Sequence, residues 1–121
     1  FIAETDGGRG ISYEELTDLL TQQRLEKNVE IIKGDILQTL PDYLDQNPQL
    51  KLSLLHIDVD LFEATKLSIE RLYAHVVKGG IIVLDDYGDF AGANKAIDDF
   101  FQGKVEVKKL PYSNAIAYIT K

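Results

Sequence analysis

Leu52 to Asp60 reads LSLLHIDVD, and Ile81 to Asp86 reads IIVLDD. Each is a short apolar run that stops abruptly at carboxylates, the pattern of a strand buried on both faces of a parallel sheet as it reaches its carboxyl edge. Ligands of open α/β sheets bind at that edge. If the two strands are neighbours, Asp58, Asp60, Asp85 and Asp86 converge on one small volume. Carboxylates so crowded need a cation or shared protons at neutral pH, and a divalent, oxygen-ligated metal is the first explanation.

Working outward, the run before the first strand supplies helices. Ser12 and Glu15 form a capping box ahead of Leu16, Leu19 and Leu20 at helical spacing. Val29 to Lys33 is a β-branched run closed by Gly34-Asp35, which reads as a further strand with an acid at its tip. Thr39 and Pro41 mark a helix start, and Asn47-Pro48 its end. Between the two acid-tipped strands, Leu61 to about Val77 has a helical stripe of Ile69, Leu72, Tyr73 and Val76, with Gly79-Gly80 as its expected stop. After Asp86, Tyr87 to Gly92 reads as a loop. Ala93, Ala96, Ile97, Phe100 and Phe101 then give a helix, Val105 to Lys109 a strand, and Ala115 to Thr120 a strand antiparallel to it across the turn at Pro111 to Asn114. Gly7, Gly8 and Gly10 belong to an amino-terminal loop. They form no phosphate cradle, because no strand precedes them and no Lys-Ser/Thr follows. Helices alternating with strands imply parallel strands with crossovers, closed here by an antiparallel hairpin.

The bulk properties narrow the partners. A chain of 121 residues is one small domain, and 45% hydrophobic with 27% charged residues is ordinary for a folded protein. A net charge of -7 repels phosphate backbones and argues against nucleic acid. No run reaches the ~18 apolar residues of a membrane span, and no leader pattern is present. The absence of cysteine is compatible with the cytoplasm. The chain also lacks methionine, so it is expected to be a piece of a longer protein.

HIDVDLFEATK, then Gly79-Gly80, then LDDYGDFAGANKAIDDFF, together with the GD-x-x-x-TLP segment at Gly34 to Pro41, resemble the macrocin O-methyltransferase family, the metal-dependent sugar O-methyltransferases of antibiotic biosynthesis. The match covers roughly residues 33 to 101. The resemblance implies a Rossmann-like class I S-adenosylmethionine methyltransferase fold, an α/β architecture whose mostly parallel sheet ends in a reversed hairpin. It implies a small-molecule hydroxyl substrate, with S-adenosylmethionine and Mg²⁺ as cofactors. Asp58, Asp85 and Asp86 are then the magnesium ligands, and Asp58 also takes the proton from the substrate hydroxyl. Asp35 and its neighbour Ile36 fall where many methyltransferases contact adenine. The glycine-rich turn and ribose-binding acid of class I enzymes have no counterpart here. Residues 1 to 121 are accordingly expected to be the carboxyl-terminal part of a single methyltransferase domain, inactive alone, with its amino-terminal strands missing. Either an upstream segment completes the sheet, or the Val29 strand is displaced or exchanged between chains of a homo-oligomer.

Blander readings stand beside these. Acids can simply solvate strand ends. Asp60 reads as a cap for the next helix or a support for a neighbour ahead of a metal ligand. His56 shares the side of Asp58 but lies deeper, as a satisfied core histidine would. Tyr87 either lines the pocket or is an exposed loop aromatic. Two other functions compete: a glycosyltransferase reading Asp58-Val59-Asp60 as its D-x-D, and a non-enzymatic, receiver-like Mg²⁺-binding domain. The first leaves Asp85-Asp86 unexplained, and the second places its acid pair before the single acid rather than after it.

Overall fold

The computed structural model describes residues 11–112 and 116–121. The loop holding Gly7, Gly8 and Gly10, and the Ser113-Asn114 part of the expected turn, lie outside these residues. Two compact units divide at Gly34 and Asp35.

In the first unit, helix α1 (Tyr13–Gln22) starts at the expected capping box. Glu15 N donates to Ser12 Oγ at 3.1 Å and Ser12 N to Glu15 Oε2 at 2.9 Å. Val29 to Lys33 is not a strand, contrary to its β-branched pattern. A strand needs a ladder to satisfy its amides, and no described strand pairs with this run. Instead the chain makes a tight turn at Glu26–Asn28 and returns along α1. There Lys33 Nζ lies 5.3 Å from the Tyr13 ring centroid and 3.7 Å from Glu14 Oε1.

The second unit is a mixed four-stranded sheet in the order β1 (Leu52–Ile57), β2 (Val76–Leu84), β4 (Ala117–Thr120), β3 (Lys108–Lys109). β1 and β2 run parallel, while β4 is antiparallel to both β2 and β3. The closing hairpin is therefore present, although β3 is much shorter than the expected Val105 to Lys109 strand.

Helices α3 (Phe62–Leu72) and α4 (Ala91–Phe101) cover one face of the sheet. That face carries Leu55, Ile57, Ile82, Leu84, Ala117 and Ile119, all buried, against Ile69, Ile97 and Phe101. Enclosing each large aliphatic side chain is worth roughly 1.5–3 kcal/mol. Phe100, Phe101 and Tyr73 add edge-to-face contacts with ring centroids 4.8 to 5.4 Å apart. The opposite face departs from the expectation of double burial. Leu54 is 59% and Ile81 40% exposed, so β1 and β2 alternate with period two rather than being buried on both sides.

Two boundaries also shift. Helix α2 (Ile36–Gln46) begins three residues before Thr39, because Asp35 already caps it by accepting from Leu37 N at 2.9 Å, and Pro41 lies inside the helix. α3 ends at Leu72 rather than near Val77, and a short turn at Tyr73–His75 leads straight into β2. Gly79-Gly80 is thus inside a strand instead of ending a helix. At this point β1 advances from Leu52 to Leu54 while β2 advances from Val76 to Ile81. Gly79 takes φ 81°, and a Cβ on Gly80 would lie 2.7 Å from Val76 Cγ1 and 2.9 Å from Val77 O. Glycine is needed because the widened strand doubles back on itself too closely for a side chain.

Candidate functional site

Ile57 pairs with Leu84 across the parallel ladder, and Asp85 N donates to Ile57 O at 3.0 Å, carrying the ladder one step further. The acid tips of both strands are thereby held side by side. Strand alternation then sorts their side chains. His56 and Asp58 follow the exposed Leu54, and Asp85 lies on the same face as Ile81 and Val83. Asp86 follows Ile82 and Leu84 to the helix-covered side, where it is only 6% exposed.

The acids form two groups that share Asp58. One ligand atom each from His56, Asp58 and Asp85 lie within 4.8 Å of one another, and so do atoms of Asp58, Asp60 and Asp86. His56 Nε2 is 3.2 Å from Asp85 Oδ1. Asp86 Oδ2 accepts two backbone N–H groups, from Val59 at 3.1 Å and Asp60 at 2.9 Å. Those bonds fix a sharp turn in which Asp60 takes φ 57° and Leu61 N donates to Val59 O, a conformation uncommon for a residue other than glycine. Burial, a side-chain hydrogen bond to Asp86, and the charges of Asp86, Asp58 and Asp85 together push the Asp60 carboxyl above its usual range.

Asp58 is thus brought beside Asp85 in one group and beside Asp86 in the other, but the expected trio of Asp58, Asp85 and Asp86 does not share a single group, because Asp85 and Asp86 turn to opposite faces of the sheet. Asp60 supports Asp86 and does not cap the next helix, since the N-cap of α3 is Leu61 and makes no side-chain capping bond. The reading of His56 as a core residue is overturned: its side chain is half exposed and faces Asp85. Alternation with the buried Leu55 and Ile57 is the signal that places it outside. Asp35 and Ile36 sit at the head of α2, and Asp35 belongs to neither acid group. Tyr87 is anchored to α4, its hydroxyl donating to Asp98 Oδ1 at 2.8 Å. That bond, then burial and the Asp98 charge, raise the Tyr87 pKa. Thr65 is the residue that sequence reasoning passed over. It is buried on α3, and its hydroxyl lacks a partner among the described residues.

This donor set suits a hard cation. Ligand atoms on one Mg²⁺ lie at most about 4.2 Å apart, twice its ~2.1 Å bond length, and it keeps several waters beside one or two carboxylates. Asp58 and Asp85 are two accessible acids with ligand atoms within 4.8 Å of one another, the number of carboxylates that such an ion takes.

The macrocin-O-methyltransferase (TylF) family model matches residues 9–110. Demethyldecarbamoylnovobiocin O-methyltransferase of Streptomyces niveus is 32% identical over 76 residues, which are 63% of this chain and 28% of that protein. The structure of the O-methyltransferase NovP superposes with a TM-score of 0.75 at 26% identity, covering 92% of this chain and 45% of that one. CalS11, a TDP-rhamnose 3'-O-methyltransferase of calicheamicin biosynthesis, gives 0.72 at 28% identity, covering 88% of this chain and 50% of that one. The chain thus spans about half the length of these solved relatives. The likeness sets aside the receiver and glycosyltransferase alternatives and makes the sheet with its reversed hairpin part of a class I S-adenosylmethionine methyltransferase fold. With the family model spanning both acid-tipped strands and the helices between and after them, the chain belongs to the macrocin-O-methyltransferase family.

Proposed function

We propose that residues 1–121 are the carboxyl-terminal part of a single methyltransferase domain in an S-adenosylmethionine- and Mg²⁺-dependent enzyme. It acts on a hydroxyl of a sugar or similar small natural product. The observation that carries this reading is the meeting of Asp58 and Asp85 at adjacent strand tips in a member of this family. The acceptor class is supported by the relatives, one named for TDP-rhamnose and one for a novobiocin precursor. A cytoplasmic location is compatible with the absence of cysteine. Among the described residues no helix is long and apolar enough to cross a membrane. Among the described residues β1 ends the sheet, an edge that either an upstream segment or a second chain of a homo-oligomer would fill.

A sugar hydroxyl is too weak an acid for a carboxylate to deprotonate unaided at neutral pH. Mg²⁺ supplies Lewis acidity that stabilises the charge developing on that oxygen. Asp58, the accessible acid common to both groups, takes the proton. Asp85, with the His56 ring 3.2 Å away, would hold the cation together with Asp58. Asp86 keeps the 59–60 backbone in place, so the reacting groups are positioned before substrate arrives. Asp35, whose Oδ1 caps α2, and its neighbour Ile36 would contact the adenine of the cofactor. The sulfonium cofactor brings the reactive methyl.

The test is methyl transfer by the full-length protein. Asp85→Ala should abolish it while the circular dichroism spectrum stays that of wild type, and a chelator should do the same reversibly. Turnover that persists in the chelated wild type would overturn the metal-assisted mechanism.

A further inference from the structure

His56 is carried into the acid site by its strand. It lies two residues before Asp58 on β1 and pairs across the parallel ladder with Val83, two residues before Asp85. The three side chains therefore leave the sheet on the same open face. One atom each of His56, Asp58 and Asp85 lie within 4.8 Å of one another, and His56 Nε2 stands 3.2 Å from Asp85 Oδ1. Ligand atoms that neighbour each other around an octahedral ion with ~2.1 Å bonds are about 3.0 Å apart, a spacing that the His56–Asp85 pair already approaches. Asp86, by contrast, turns to the helix-covered side, where its Oδ2 accepts the Val59 and Asp60 amides. Among the described residues, the donor that joins Asp58 and Asp85 on the open face is thus a ring nitrogen.

We propose that His56 Nε2 is a direct ligand of the cation held by Asp58 and Asp85, and that the site accordingly favours a first-row transition ion such as Mn²⁺ over Mg²⁺. This rests on the metal reading above. In the ligating form the ring proton sits on Nδ1 and Nε2 offers its lone pair. The ring is half exposed, so water can accept the Nδ1 proton, as a ligating histidine requires. Without an ion, a proton on Nε2 makes the 3.2 Å contact a hydrogen bond to Asp85. Two carboxylates and water are a donor set that suits Mg²⁺, which takes oxygen ligands and sheds its waters reluctantly. Imidazole nitrogen suits transition metals instead. The added nitrogen is what moves the preference.

The test uses tag-free full-length protein loaded with Mn²⁺. Electron paramagnetic resonance follows binding, and electron spin echo modulation reports nitrogen bound directly to the ion. The wild type should show that nitrogen modulation, and His56→Gln, whose side-chain amide still donates to a carboxylate, should lose it. The variant should also bind Mn²⁺ more weakly by at least about tenfold, since even a partner behind a ligand is worth that much. Its Mg²⁺ affinity, measured by competition, should fall less. Circular dichroism checks that the variant is folded, and the wild-type spectrum needs no variant at all. Bound Mn²⁺ without nitrogen modulation in the wild type, or modulation that persists in His56→Gln, would overturn the His56 ligand and leave the carboxylate site standing. A wild type that binds neither Mn²⁺ nor Mg²⁺ would overturn both.

Discussion

Asp86 Oδ2 accepts the backbone N–H of Asp60 at 2.9 Å, fastening the carboxyl tip of β1 to that of β2. Val59 N adds a second bond to the same oxygen at 3.1 Å. An acid buried among apolar side chains is tolerated here because it closes two amides that the sharp turn leaves without carbonyl partners. Asp86→Ala should therefore destabilise the protein by at least the roughly 1–3 kcal/mol of an orphaned buried donor. Asp86→Asn, which keeps an acceptor oxygen, should cost less. Urea denaturation of the two variants beside wild type gives the comparison, and equal stability of all three would mean the turn holds without this anchor.

Asp60 gives the site a pH signature. Its carboxyl is held above its ordinary value of 3.8 by burial first, then by the hydrogen bond to Asp86 and the charges of Asp86, Asp58 and Asp85. The folded state therefore grips a proton more tightly than the unfolded chain does. The stabilising contribution is complete below 3.8 and is lost as pH rises through the elevated folded value. Asp60→Asn mimics the protonated form at every pH. In metal-free buffer it should be more stable relative to wild type at neutral pH than in acid. Urea midpoints across that range measure the difference, and a flat difference would remove the basis for the raised pKa.

The two glycines of β2 should respond oppositely in kind. A Cβ on Gly80 meets Val76 Cγ1 at 2.7 Å, Val77 O at 2.9 Å and Ser53 O at 3.2 Å. Two of those atoms are backbone and cannot step aside, so Gly80→Ala should cost roughly 1–3 kcal/mol by overpacking. Gly79 has open space around it but φ 81°, so Gly79→Ala should cost only the conformational penalty, about 1 kcal/mol. Thermal unfolding of both variants checks the order.

The parts of this fold that the sequence announces are those where one local cause decides the structure. Ser12 with Glu15 determines where α1 starts, and apolar runs ending in acids mark the strand tips. The misreadings arise where distant residues decide. Val29 to Lys33 has strand propensity but no ladder to join, and no local pattern reports a missing partner. Gly79-Gly80 is a helix stop by composition, yet pairing with β1 and β4 draws it into a strand. A β1 buried on both faces would put His56 in the core, whereas only one face is covered and His56 lies on the other. Thr65 leaves no trace in sequence at all, since an unbonded hydroxyl is defined by its surroundings.

A last prediction separates a metal centre from acids that merely face water. Asp58, Asp60, Asp85 and Asp86 repel one another when no cation is bound, and Asp58 and Asp85 are the two accessible through the open side. Asp58→Asn or Asp85→Asn should therefore raise stability in chelator, because a like charge is removed from a crowded site. The sign should reverse on adding Mg²⁺. Wild type gains about 2.7 kcal/mol at a concentration one hundred times its dissociation constant, and the variants, having lost a ligand, gain little. Sodium chloride at matched ionic strength controls for simple screening, which acts on exposed charges without regard to geometry. Solvated strand ends would give variants that track wild type in both conditions, whereas a shared ligand set requires the two stability curves to cross as Mg²⁺ rises.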